Sequence, residues 1–173
     1  MKKLINYFTK AELTLWGAST GLILASFLAF DRANYMTLTA SMVGATSLIF
    51  NAKGNPIGQA LMILFSLLYG IISYTFSYFG EMITYLGMTA PMALFALITW
   101  LRNPFGGNHA GVTVNRLKPF EGPLMLLLTA AVTFGFYFIL EVFETANIIP
   151  STLSVATSFI AVYLTFRRSP YFA

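Results

Sequence analysis

The sequence contains no cysteine and a single histidine, His109. Disulfides, thiol nucleophiles, Cys/His metal clusters and Cys–His catalytic pairs are excluded by that inventory, and no cofactor is expected. Charge is scarce too. Only 9% of the 173 residues are Asp, Glu, Lys or Arg, where a soluble domain carries roughly 25%. So few charges cannot cover a water-exposed surface, so most of the solvent is lipid. The alternating ten-residue strands of an outer-membrane barrel are missing as well. The net charge of +4 is explained by where the basic residues lie, so no nucleic-acid partner is implied.

What remains is apolar: 57% hydrophobic residues and a mean hydropathy of +0.74. Cutting the chain at its charges leaves runs at 13–30, 33–52, 54–80, 82–101, 122–140 and 145–166. Each approaches the roughly 20 residues that span a bilayer core. The expected fold is an all-α integral membrane protein with six transmembrane helices. With the N-terminus cytoplasmic, Lys2, Lys3, Lys10, Lys53, Arg102, Arg116, Lys118, Arg167 and Arg168 fall inside, and Arg32 alone falls outside. That asymmetry satisfies the positive-inside rule and places both termini in the cytoplasm. The opening "MKKLINYF" also has the shape of a secretory signal, but Glu12 interrupts its basic region.

Residues 30–34 read "FDRAN" and residues 143–147 read "FETAN". At the same spacing Ala18 meets Ala131, Thr20 Thr133, Thr39 Thr152 and Ser41 Ser154. Farther on, "KGNP" (53–56) and "RRSP" (167–170) close the second span of each stretch. This is the pattern of a parallel duplication. It divides a single membrane domain into a first repeat unit of four spans (1–101), a cytoplasmic loop (102–122) and a partial second unit (123–173). The second unit is expected to be incomplete, lacking the counterparts of 54–80 and 82–101.

Polar residues within the spans mark the candidate site. Gln59, Ser66, Tyr69 and Ser73 keep to one face of the third span by helical spacing. Glu81, Thr84, Tyr85, Met88 and Thr89 do so on the fourth, where Pro91 permits a kink. Faces of this kind should turn away from lipid. A cavity of amide, hydroxyl, aromatic ring and one acid suits a neutral or mildly cationic solute with a flat ring and hydroxyls. Glu81 also caps the short hairpin between the third and fourth spans, where its carboxylate favours the helix dipole. Asn51, Lys53, Gly54 and Asn55 read as a turn.

Three stretches resemble the PnuC family of bacterial vitamin transporters: "SMVGATSLIFNAKGNPIGQ" (41–59), "LLYGIISYTFSYFGE" (67–81) and "APMALFALITW" (90–100). "STLSVATSFIAVYLTFRR" (151–168) is similar to the segment that opens the family's second half. Two positions depart from the family pattern: Tyr85 stands where an Asn is common, and Ala93 where a Gln often follows Pro-Met. The resemblance implies a SWEET-like repeat in a bacterial plasma membrane. It also implies facilitated diffusion of nicotinamide riboside or a related vitamin, trapped by intracellular phosphorylation. The substrate-binding set becomes Gln59, Ser66, Tyr69, Glu81, Thr84, Tyr85, Thr89 and Trp100, with self-association as a further expectation. A six-span substrate-binding subunit of an energy-coupled vitamin importer is the alternative. A membrane-embedded enzyme lacks its nucleophile, ligands and acid pair.

Overall fold

A computed structural model describes residues 7–144 and 148–171. Lys2, Lys3, residues 145–147 of the "FETAN" match, the last two residues and the side chain of His109 lie outside the described residues. The helices are α1 (Lys10–Phe30), α2 (Tyr35–Ala52), α3 (Pro56–Thr75), α4 (Phe79–Ile83), α5 (Ala90–Leu101), α6 (Glu121–Val142) and α7 (Ile148–Phe166). A π-helical turn, Thr84–Thr89, joins α4 to α5. The three pieces run on as a 23-residue helix, Phe79–Leu101. Between α5 and α6, β1 (Pro104–Phe105) and β2 (Asn108–Val112) form an antiparallel hairpin. Gly106 and Gly107 turn it with φ of 57° and 76°, the left-handed pair that a two-residue hairpin loop needs.

Five of these helices are long and apolar enough to cross a membrane: α1, α3, Phe79–Leu101, α6 and α7. α2 is not one of them. Its 18 residues include Thr37, Thr39, Ser41, Thr46, Ser47 and Asn51, and at about 1.5 Å per residue they reach about 27 Å. The hydroxyls adapt to an apolar setting by bonding their own helix. Those of Thr39, Thr46 and Ser47 donate to the carbonyls of Tyr35, Met42 and Gly44 at 2.7–2.8 Å, which leaves few donors facing lipid.

Several helix starts are set locally. Thr9 and Glu12 form a reciprocal capping box on α1, satisfying two of its unpaired N–H groups. Asn34 accepts from the Thr37 N–H, and Asn55 accepts from the Ile57 N–H ahead of α3, with Pro56 in its first turn. A proline is tolerated there because no intrahelical donor is lost. The carboxylate of Glu121 accepts from the Lys118 N–H at the start of α6.

The helices pack as a chain of neighbours: α1 on α2, α2 on α3, α3 on α5 and the π turn, these on α7, and α7 on α6. Two glycines allow close approach. A Cβ on Gly58 would lie 2.3 Å from Asn51 Oδ1, and one on Gly70 2.6 Å from Leu86. Small residues at such crossings let helices meet in lipid, where hydrophobic driving force between helices is absent. Met88, Leu140, Val155, Phe159 and Tyr163 form the buried cluster between the π turn, α6 and α7.

One end of the bundle is knitted by polar contacts. Glu12 pairs with Lys53 at 3.1 Å, and Glu121 pairs with Arg167. Val112 of the hairpin sits against Gly54, whose φ is +66°. The Asn115 N–H donates to the Arg168 carbonyl, and the Arg168 guanidinium donates to the Thr113 carbonyl. The turns after α2, α5 and α7 therefore share one end of the bundle.

Candidate functional site

The third helix buries its polar face. Gln59, Ser66 and Ser73 are at most 2% exposed, which places the stripe inward, as the cost of polar groups in lipid demands. The Gln59 side-chain NH2 donates to Asn51 Oδ1 at 2.8 Å. Asn51 therefore belongs to the last turn of α2 and faces α3 across Gly58, rather than sitting in the turn itself. The pairing leaves Gln59 an acceptor and Asn51 two donors.

Two cavities lie between the Phe79–Leu101 helix and α7, the first closed by Leu140 of α6 and the second by α3 and Asn51. The first, of about 290 Å³, opens near Glu81 and the start of α7. It is lined by Glu81, Thr84, Tyr85 and Thr89 on one side and by Ser151, Ser154 and Ser158 on the other. The second, of about 190 Å³, lies toward the Lys53 end. Asn51, Gln59, Met62, Phe65, Met92 and Thr165 contribute to it. Tyr85, Thr89 and Ser158 line both cavities. No lysine, arginine or histidine is among either set of lining residues.

Tyr85 is held at this junction by rings. Its centroid lies 4.6 Å from that of Tyr69 and 5.8 Å from that of Phe65, the latter edge-on. Both spacings fall in the favourable range for aromatic pairs. Thr89 donates its hydroxyl to the Thr84 carbonyl at 3.3 Å, and the Ala90 N–H reaches back five residues to the Tyr85 carbonyl. Pro91 explains the wide turn: it lacks an N–H, and its ring crowds the carbonyl four residues earlier.

The structure brings together Gln59, Glu81, Thr84, Tyr85 and Thr89 as lining residues. It does not bring Ser66, Tyr69 or Trp100 to either cavity. The Ser66 hydroxyl donates to the Met62 carbonyl within α3. Tyr69 stands behind Tyr85 as its stacking partner. Trp100 is fully buried, and its indole N–H donates to the Thr165 carbonyl at 2.9 Å, fastening α5 to α7.

Sequence reasoning missed the serines of α7. Their spacing, 151, 154 and 158, is a helical face that could have been read directly. Thr152, Thr157 and Thr165 of the same helix bond to carbonyls of the preceding turn. Among the described residues, Ser154 and Ser158 make no such bond, so their hydroxyls are available to a solute.

Comparison with known proteins bears on these cavities. The family model described as "Nicotinamide mononucleotide transporter" matches residues 34–172. A solved structure, described as the crystal structure of the vitamin B3 transporter PnuC, aligns with a TM-score of 0.76 and 20% identity. The alignment covers 94% of this chain and 70% of that one. At that identity the likeness establishes the fold. No curated protein matches. A multi-pass membrane protein whose polar residues converge on cavities between its spans thus finds its place: the chain belongs to the nicotinamide mononucleotide transporter family, the PnuC transporters.

Proposed function

We propose that this chain takes up a vitamin nucleoside, nicotinamide riboside before its relatives, by facilitated diffusion across a bacterial plasma membrane. Phosphorylation inside the cell traps the product. The carrying observation is the lining of the two adjoining cavities: hydroxyls, amides, rings and one carboxylate, with no cationic side chain among the described residues that line them. A phosphate would be drawn to arginine or lysine and would meet Glu81 here instead. The pyridinium ring of a riboside is a cation that Tyr85 and Glu81 can both attract. Its ribose hydroxyls match the serines of α7. These cavities hold no paired acids and bases for a proton relay, in keeping with a passive mechanism.

The architecture we assign is six spans with the N-terminus inside, in which α2 crosses as the short, polar sixth. The SWEET-like parallel repeat, with units 1–101 and 123–173 joined by the loop 102–122, is supported by matched construction. Lys53 and Arg167 each follow the second helix of a pair and bind an acid in the first turn of the first helix. Self-association fits the apolar groove between α1 and α2, lined by Leu22, Phe27, Phe30 and Leu38.

Thermal stabilisation of the purified protein tests the substrate. Nicotinamide riboside should raise the unfolding temperature more than thiamin or riboflavin, and nicotinamide mononucleotide should leave it unchanged. Stabilisation by the mononucleotide alone, or by none of the four, would overturn the reading.

A further inference from the structure

The two cavities meet at three side chains, Tyr85, Thr89 and Ser158. Tyr85 lines both, and it is the only large ring shared by them. It is stacked on Tyr69 from α3 and stands edge-on to Phe65. Opposite it, Ser158 of α7 is small. The backbone that presents Tyr85 is itself unusual. The turn Thr84–Thr89 is π-helical, with a bond from the Ala90 N–H to the Tyr85 carbonyl in place of the four-residue ladder. Single π turns inside helices recur at functional positions.

We infer that Tyr85 is the partition between the two halves of the substrate track, and that the π turn is the element that moves it. The inference rests on the reading that the adjoining cavities are a transport path. An α-helix turns about 100° per residue. Tightening the π turn to α-helix removes the extra residue, so the segment carrying Tyr85 rotates by about that angle relative to α5. The rotation takes the ring off the Tyr69 stack and joins the cavities.

The local contacts suit such a move. Gly87, inside the turn, has only the Ile83 methyl near the place of a Cβ, at 3.7 Å, so the turn can rewind without collision there. Gly70 accepts Leu86 in a tight notch, which gives the π state a defined seat on α3. Pro91 biases the equilibrium toward the wide turn, because an α-helical turn would drive its ring into the Gly87 carbonyl. Thr89 adds a side-chain bond across the turn. Thr89 and Pro91 are thus positioning residues for Tyr85.

The absence of cysteine makes the test direct. Ser154→Cys marks the Glu81-side cavity and Ala161→Cys the other. Each single variant is reconstituted in sealed vesicles and treated with a membrane-impermeant thiol reagent applied from the Glu81 face. If the open partition is a minor state, Ala161→Cys should react at least about tenfold more slowly than Ser154→Cys. Adding Tyr85→Ala should erase that difference, whereas Tyr85→Phe, which keeps the ring, should preserve it. Pro91→Ala, with Tyr85 intact, should raise the Ala161→Cys rate several-fold while leaving Ser154→Cys unchanged as a check on folding. Equal rates in the parent, or no response to Tyr85→Ala, would overturn the partition. A response to Tyr85→Ala but not to Pro91→Ala would overturn the role of the π turn. These readouts need no ligand. A failed vitamin panel therefore sinks the substrate assignment separately, and failed labelling sinks the partition even where riboside binds.

Discussion

The α1–α2 pair and the α6–α7 pair end in nearly the same turn, made from different residues. After α2, the Gly54 N–H donates to the Asn51 carbonyl and the Asn55 N–H to the Phe50 carbonyl. After α7, the Arg168 N–H donates to Thr165 and the Ser169 N–H to Leu164, in the same relation. Asn55 accepts from the Ile57 N–H, and Ser169 accepts from the Tyr171 N–H. The left-handed position is glycine in one turn and arginine in the other, with φ of +66° and +56°. Gly54 takes that conformation without strain and lets Val112 close in. Arg168 must be held there by the Thr113 carbonyl and by the Asn115 N–H, which bonds its own carbonyl. Burial, and then its neighbour Arg167, pull its pKa below the ordinary guanidinium value. The scaffold is set by backbone geometry, and the side chains at equivalent places are free to serve the surroundings of each pair.

The largest way to break the comparison is at Gly58, which seats α2 on α3 and has no described counterpart beside α7. A methyl there would collide with Asn51. Overpacking of this kind costs about 3 kcal/mol, and Gly58→Ala should lower the unfolding temperature in detergent and part the Asn51–Gln59 bond. Next come the two left-handed positions, where the signs should differ. Gly54→Ala adds roughly 1–2 kcal/mol of backbone strain, on top of a contact with Val112. Arg168→Gly relieves the same strain while losing one hydrogen bond of about 1 kcal/mol, so it should be close to neutral. Equal destabilisation by both, read from thermal unfolding, would mean that the two turns are not held alike.

The ion pairs should differ more gently. In the intact pairs Glu121 is 13% exposed and Glu12 28% exposed, so Arg167→Ala strands the more buried carboxylate and Lys53→Ala the less buried one. Partly exposed pairs contribute about 1 kcal/mol or less, so both losses should be modest. That of Arg167 should be larger and less sensitive to added salt. The smallest expected effect is the most informative about function. Ser154→Ala should weaken riboside binding about fivefold, one neutral hydrogen bond of about 1 kcal/mol, with the ligand-free unfolding temperature unchanged. Ser41→Ala, at the matching place in the α1–α2 groove, should alter neither.

The helix boundaries were legible because they are electrostatic, although α2, expected as a span, is not among the five helices long and apolar enough to cross a membrane. Glu12, Lys53, Glu81, Arg102, Glu121 and Arg167 all lie at or within a few residues of a helix end in the structure. The inward face of α3 was legible because it follows helical spacing within one element. What escaped depended on pairs of elements distant in sequence. Nothing near residue 154 says that it will face Tyr85, and nothing near Trp100 says that its indole will fasten α5 to α7. The hairpin was missed although Gly106-Gly107 between short flanks is a turn signal. Pro91 announced a distortion, but a proline kink and a π turn share that signal, and only the bond to the Tyr85 carbonyl separates them.

The burial of Trp100 has an optical consequence. The chain has two tryptophans: Trp16 is 38% exposed on α1, and Trp100 is enclosed beside the second cavity, next to Thr165. Their indoles sit in different surroundings, that of Trp16 partly exposed with its N–H donated to the Thr46 hydroxyl and that of Trp100 enclosed in protein. With Trp16→Phe, all remaining indole emission comes from Trp100. Its wavelength and quenching then report, without any attached dye, whether water has entered the cavity where Asn51 and Gln59 meet.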